Sequence, residues 1–214
     1  MKEVRVAIFI DYYNTMNEFN REIDTQVEYF KDHKKHAMYP YLLSNRELKK
    51  PINYFKRNVW RSFNQILMKY LSEKIGVATY DHIGTFITLG IRKEYKKKAS
   101  DDRKTYEKLM EISQLDGFIV HFELSRHNEE GKIKEYGVDA NIACQMLLGA
   151  FRDQYDVGVI VSNDQDFIPA IDMVQKSYGK KIYHLGPSFQ IKSACYGSLN
   201  YENFFQRVIM INNE

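Results

Sequence analysis

Three aspartates follow two apolar segments of this 214-residue chain, at points where strands are expected to end. Asp11 comes directly after residues 4–10, and Asp164 and Asp166 come shortly after residues 157–161. Both segments are almost continuously apolar, which is typical of parallel strands covered on both faces. Because the carboxyl ends of parallel strands line one crevice, we expect the three carboxylates to face a common ligand.

A further aspartate, Asp139, falls in the first turn of a predicted helix that follows Gly137. A single aspartate at a helix start is most often only a cap. A cluster of like charges, however, is unfavourable unless a cation neutralises it, and oxygen ligands favour Mg²⁺ or Mn²⁺. We therefore predict that these aspartates gather around a hard divalent cation.

Such a cation would give the site a definite chemistry. It takes a phosphate oxygen as ligand, polarises the phosphorus and lowers the pKa of a bound water. This predicts metal-assisted hydrolysis of a phosphodiester. Asn14, three residues after Asp11, could begin a helix or hydrogen-bond a neighbouring carboxylate. Taken singly, Asn14 and Ser162 are equally well explained as helix caps.

Strand-like and helix-like segments alternate along the chain in the order that builds a parallel sheet. Strands are predicted at residues 4–10, 78–91, 117–124, 157–161 and 181–185, and helices at 59–75, 100–115, 138–151 and 167–178. The prediction is an α/β fold with three layers and a doubly wound, mostly parallel sheet. Residues 17–60 fit least well, and we interpret them as a helical or irregular insertion that caps the sheet after the first strand. The tail, residues 200–214, is predicted as a helix or an edge strand.

Composition sets the class of protein. Hydrophobic residues make up 44% and charged residues 28% of the chain, which excludes wholesale disorder, and the length fits one domain over residues 1–214. The net charge of +3 is too small to indicate a nucleic-acid binder by itself. No segment has the roughly 18 apolar residues of a membrane span, and two cysteines cannot form a disulfide framework. We expect a soluble, cytoplasmic protein.

Four short motifs resemble, in order and spacing, those of the NYN domains, a branch of the PIN-like nucleases. They are Ile8-Phe9-Ile10-Asp11-Tyr12-Tyr13-Asn14, Gly137-Val138-Asp139, Val161-Ser162-Asn163-Asp164-Gln165-Asp166-Phe167 and Gly179-Lys180-Lys181-Ile182-Tyr183. Each motif alone is weak, and the four in order are fairly specific. The resemblance implies a PIN-like fold and an endoribonuclease that cleaves RNA with Mg²⁺ or Mn²⁺.

The resemblance also implies roles for individual residues. The four aspartates already named would be the pocket acids, with Asp11, Asp139 and Asp164 as metal ligands and Asp166 as a further catalytic acid. Asn14 would orient Asp11 or a metal-bound water. Ser162 and Asn163 would support the pocket through hydrogen bonds and, with Lys134, are candidates for substrate contact. Many relatives carry a further aspartate six residues after the central one, where this chain has Gln145. That neutral residue leaves open a module that binds RNA or recruits a partner without efficient cleavage, and a nucleotide phosphohydrolase is a further alternative.

Basic and aromatic residues indicate a nucleic-acid partner. A candidate phosphate-contact patch comprises Lys93, Lys96, Lys97, Lys98, Arg103 and Lys104. Aromatic residues interleaved with cations between residues 29 and 55 suit single-stranded RNA, although packing of a cap explains them as well. His184 ends a predicted strand and is interpreted as a hydrogen-bonded core histidine. A homo-oligomer is a further expectation.

Overall fold

The computed structural model describes residues 3–29, 57–76, 79–92, 101–127, 133–134 and 137–212. Within them, strands form a sheet in the order β4-β3-β2-β1-β5-β6-β7. The strands are β1 (Val4–Asp11), β2 (Tyr80–Arg92), β3 (Phe118–His127), β4 (Ile133–Lys134), β5 (Val157–Val161), β6 (Lys181–His184) and β7 (Gly197–Ser198). The short β4 is antiparallel to β3, and the other six strands run parallel. The predicted parallel sheet is confirmed.

Helices cover both faces of this sheet and make it the middle of three layers. They are α1 (Tyr12–Tyr29), α2 (Arg57–Ile75), α3 (Asp101–Ile112), α4 (Val138–Phe151), α5 (Ile168–Tyr178), α6 (Phe189–Ala194) and α7 (Tyr201–Asn212), with a 3₁₀ turn at Gln165–Phe167. On one face Ile8 packs with residues of α1, α2, α3 and α7. On the other face Phe9 packs with residues of α4, α5 and α6. Each core forms because successive side chains of a strand point to opposite faces.

The chain order of the strands locates the crevice. From β1 the sheet grows through β2 and β3 on one side and through β5, β6 and β7 on the other. The boundary between β1 and β5 is therefore the topological switch point, where ligands bind beyond the carboxyl ends of the strands. In the register of this pair Ile10 lies beside Val161, so the segments that follow β1 and β5 leave the sheet side by side.

The segment predicted as an insertion, residues 17–60, belongs in part to regular helices. Residues 17–29 continue α1, whose Phe19 and Val27 are buried in the core, and residues 57–60 open α2. Residues 30–56 lie outside the described residues, so the cap stays a prediction. The tail over 201–212 is a helix, α7. Among the helices described, none is both long enough and apolar enough to cross a bilayer.

Candidate active site

Asp11 is the last residue of β1 and is only 6% exposed. Its carboxylate accepts two hydrogen bonds, from the Asn14 backbone N–H to Oδ1 and from the Ser162 hydroxyl to Oδ2, each 3.2 Å long. Burial raises the pKa of Asp11 to about 6, and the negative charges of Asp139 and Asp164 add to the rise, although both hydrogen bonds oppose it. The carboxylate is therefore held rigidly in a place that disfavours its charge.

Asn14 lies in the first turn of α1 and ties that helix to the loop after β5. Its Oδ1 accepts a 2.9 Å hydrogen bond from the backbone N–H of Asn163. One residue further on, the Thr15 hydroxyl donates to the Val161 carbonyl at 2.9 Å. The start of α1 and the end of β5 are thus joined by two bonds beside Asp11.

The loop after β5 presents the other two acids of the Ser-x-Asp-x-Asp motif. The Asp164 backbone N–H donates to the Ser162 hydroxyl oxygen at 3.1 Å. Oδ1 of Asp164 then accepts from the Asp166 backbone N–H at 3.0 Å and caps the 3₁₀ turn. Asp164 therefore caps the turn with one oxygen and also belongs to the group of acids in the crevice.

Asp139 reaches the same place from α4. One carboxylate oxygen from each of Asp139, Asp164 and Asp166 lies within 4.8 Å of the other two. Partial burial raises the pKa of Asp139, and the charges of Asp164 and Asp166 raise it further. The acid cluster contains Asp166 and does not contain Asp11, so the predicted ligand set stays a prediction. Asp11 nevertheless lies close enough to Asp139 and Asp164 for their charges to raise its pKa, at the end of the strand that borders β5.

The donor set suits a hard divalent cation. All the ligand atoms on offer are carboxylate oxygens, with no cysteine or histidine among them, which favours Mg²⁺ or Mn²⁺ over zinc. Burial raises the pKa of Asp11 and of Asp139, and the charges of neighbouring aspartates raise both further, so a bound cation would favour the ionised form of these acids. Asp164 is half-buried and the other two acids of the cluster are exposed, so the group is open to solvent.

Comparisons with known proteins bear on this geometry. The profile of the NYN domain matches residues 5–196, nearly the whole chain. The chain belongs to the NYN domain family. No curated protein matches this NYN domain. A solved structure of a protein of unknown function from Vibrio parahaemolyticus is similar, with a TM-score of 0.52 and 14% identity over 93% of this chain and 95% of that one. At that identity the similarity supports the fold alone.

Behind the acids of this NYN domain, His184 supports the loop after β5. Its side chain is fully buried, and Nε2 lies 2.9 Å from the carbonyl oxygen of Ser162. Burial lowers the pKa of His184 to about 4, so the ring is neutral near pH 7 and Nε2 donates to that carbonyl. Nδ1 is buried without a hydrogen-bond partner. The interpretation of His184 as a hydrogen-bonded core residue is confirmed.

The loop that follows β6 packs tightly on Asn163. Oδ1 of Asn163 accepts a 2.9 Å hydrogen bond from the backbone N–H of Ser188. A Cβ at Gly186 would lie 2.6 Å from that same oxygen and 2.7 Å from Nε2 of His184, so only glycine fits. Asn163 therefore links the loops after β5 and β6, a contact between distant segments that the sequence did not reveal.

Gln145, the neutral residue at the position of a family aspartate, points into a chain of side-chain hydrogen bonds. Its amide N–H donates to Oδ1 of Asn141, whose Nδ2 donates to a Glu123 oxygen at 2.8 Å. Because a carboxylate only accepts, Glu123 fixes the orientation of both amides. These hydrogen bonds connect the start of α4, just beyond Asp139, to β3. Sequence reasoning missed Glu123, although its place near the carboxyl end of a strand was a signal.

Of the predicted substrate-contact residues, Ser162 contacts the acids instead, and some of the basic side chains lie outside the described residues. Ser162 is 3% exposed and its hydroxyl bonds both Asp11 and Asp164, so it supports the acids. Lys134 pairs with Arg126 through the backbone of β4, and its side chain lies outside the described part. Within the basic patch, Arg103 forms a 2.6 Å ion pair with Glu107 on α3, and residues 93–98 are outside the described ranges.

Proposed function

We propose that this NYN domain is a metal-dependent endoribonuclease that hydrolyses phosphodiester bonds of single-stranded RNA. The observation that carries the proposal is the meeting of Asp139, Asp164 and Asp166 within 4.8 Å, near enough to Asp11 for two of their charges to raise its pKa, in a nuclease-like fold. A generic cap needs one carboxylate, whereas four carboxylates drawn from three separate segments need a reason to accept mutual repulsion.

The roles of the residues follow from their contacts. Asp139 and Asp164 would hold the cation together with Asp11, as the motifs predict, and Asp166 extends the same cluster. When bound, Mg²⁺ or Mn²⁺ polarises the phosphate and lowers the pKa of a bound water. Asn14 holds Asp11 through its backbone N–H.

Ser162 and Asn163 act behind the acids in this proposal. Ser162 bonds two of the acids directly. Asn163 joins the loop after β5 to α1 and to the loop after β6, which keeps Asp164 in place. Lys134 remains a candidate for contact with substrate phosphate.

The test is an RNA degradation assay in Mn²⁺ and in Mg²⁺ with Asp11→Asn, Asp164→Asn and the matched control Asp172→Asn. Asp172 lies on α5 in a surface ion pair with Lys176, so its loss is expected to change stability by less than about 1 kcal/mol. We expect loss of cleavage in the first two variants and wild-type cleavage in the control. Equal activity in all proteins, or activity that survives a chelator, would refute the proposal.

The second candidate is a domain that binds RNA or recruits a partner without efficient cleavage, and Gln145 favours it. One acid fewer weakens the hold on a second cation, and the Gln145 amide is engaged with Asn141 instead. The same assay separates the two functions. RNA binding that persists with no products under any divalent ion supports the second candidate, and products from small nucleotides alone would indicate a nucleotide phosphohydrolase.

A further inference from the structure

The residue that follows the loop after β6 is an exposed phenylalanine beside the acids. Phe189 is the first residue of α6, and its side chain is 75% exposed, more than any other large hydrophobic side chain in the described part of the chain. Two residues later Ile191 is fully buried and anchors this short helix. The exposure of Phe189 is therefore imposed by a fixed backbone.

The contacts of its neighbours place Phe189 at the rim of the acid cluster. The preceding residue, Ser188, donates its N–H to Asn163, and Asn163 immediately precedes Asp164. The helix α6 also packs against the 3₁₀ turn that carries Asp166. An exposed aromatic residue thus begins a helix whose backbone contacts both Asn163, the neighbour of Asp164, and the turn that carries Asp166.

Lys192 supplies a cation on the same helix. It lies three residues after Phe189, and residues at that spacing are neighbours on a helix surface. Lys192 also lines an open groove of about 760 Å³ together with Gly186 and Pro187, and the same lining carries Lys74 as well as Glu22, Glu73 and Glu202. A ring and a lysine side by side are a pair of groups that suits the binding of single strands.

We propose that Phe189 is a stacking platform for an unpaired nucleobase next to the scissile phosphate, with Lys192 contacting the following backbone. The inference rests on the proposed nuclease function and names the residues that would hold an unpaired base of its single-stranded substrate. The acid cluster repels a polyanion until a cation is bound, so a charge-independent attraction is needed at this rim. Stacking supplies it, and only an unpaired base can leave its neighbours to reach the ring.

The experiment measures binding and cleavage of a fluorescein-labelled single-stranded oligoadenylate by wild type, Phe189→Ala and Phe189→Trp. The matched control is Phe151→Ala, because Phe151 is 69% exposed but lies at the far end of α4, about 20 Å along the helix from Asp139. We expect Phe189→Ala to raise KM about tenfold while the tryptophan variant and the control stay near wild type. Lys192→Ala is expected to lower the salt dependence of binding.

A substrate series with one abasic residue, moved stepwise along the strand, identifies the stacked base. The Phe189→Ala penalty should vanish when the abasic residue occupies the stacking position, since ring and base then form a thermodynamic cycle. A penalty equal at every position, or equal in Phe151→Ala, overturns the inference. Binding is repeated in Asp164→Asn backgrounds. If the wild type cleaves no RNA under any divalent ion but Phe189→Ala still weakens binding, the nuclease proposal fails and the stacking site stands; if the wild type binds no oligoadenylate, the stacking site fails.

Discussion

Asn163 donates its backbone N–H to Oδ1 of Asn14 across 2.9 Å, although the two residues are 149 positions apart in the chain. The bond joins the segments after β1 and β5 at the switch point. Asn14 also donates its own backbone N–H to Asp11, and Asn163 directly precedes Asp164. The amide side chain of Asn14 therefore links the loop that carries Asp164 to the start of α1, beside Asp11.

Replacing Asn14 by alanine should loosen that link without touching an acid. The variant loses only the Oδ1 acceptor, so we expect a loss of about 1 kcal/mol in the free energy of unfolding. Activity should fall by about tenfold or more, since groups that orient ligands have effects of that size. Urea unfolding and Mn²⁺-dependent cleavage measure the two effects. Asn203→Ala, at an exposed position of α7, is the control, and a parallel loss in it would contradict the role of Asn14.

Gly186 is expected to tolerate no side chain. A Cβ there would lie 2.6 Å from Oδ1 of Asn163, so Gly186→Ala must push the loop after β6 away from the loop that carries Asp164. We predict a destabilisation of about 1–3 kcal/mol and reduced cleavage. Gly84→Ala is the matched control, because its Cβ would make an ordinary 3.5 Å contact with Phe86. Similar thermal stability of both variants would show that the loop yields easily.

The strands that build the site could be predicted because burial on both faces leaves a plain apolar signature. β5 coincides with the strand predicted at residues 157–161. β1 is longer than the strand predicted at residues 4–10 only by Asp11. β2 reads as more mixed, yet it lies in the middle of the sheet, and its Thr85 is fully buried. That hydroxyl donates to Asn64 on α2 at 2.9 Å, a partner that local periodicity cannot reveal.

For the site, the meeting of the aspartates was predictable from topology, but the finer grouping was not. Asp166 rather than Asp11 completes the close trio because the 3₁₀ turn folds Asp166 back toward Asp164. Glu123 escaped notice because its partner Asn141 lies 18 residues away on another element. Contacts of this kind depend on how helices dock on the sheet, and a strand or helix pattern carries no information about them.

Asp11 and His184 should make the free energy of unfolding depend on pH in opposite directions. The pKa of Asp11 rises from 3.8 to about 6 on folding, so its ionisation opposes folding above about pH 6 and this penalty disappears as pH falls toward 3.8. The pKa of His184 falls from 6.5 to about 4, so acidification over nearly the same range protonates the unfolded state first and destabilises the fold. Each effect amounts to about 3 kcal/mol, and in the wild type they largely cancel.

Asp11→Asn separates these contributions in the metal-free protein. We expect it to be more stable than wild type near pH 7, because the buried charge is gone, and to lose that advantage toward about pH 4. His184→Asn should change in the other direction, gaining relative to wild type as the pH falls. Urea unfolding across this range, with a chelator present, measures both differences. A stability difference between Asp11→Asn and wild type that does not vary with pH would mean that Asp11 titrates normally.

Placing a carboxylate at position 145, where the family resemblance implies an aspartate, should destabilise this protein. In Gln145→Glu the ionised carboxylate can only accept hydrogen bonds, so it would face Oδ1 of Asn141 with no proton between them. Asn141 could donate to the new carboxylate only by turning its amide, which would break its hydrogen bond to Glu123. We predict a loss of about 1–3 kcal/mol near pH 7, less at low pH where the carboxyl is protonated, and no gain in Mn²⁺-dependent cleavage. Gln114→Glu, at an exposed turn, is the control for added charge. Higher activity in Gln145→Glu would instead show that the hydrogen-bond chain rearranges and that the missing acid limits catalysis.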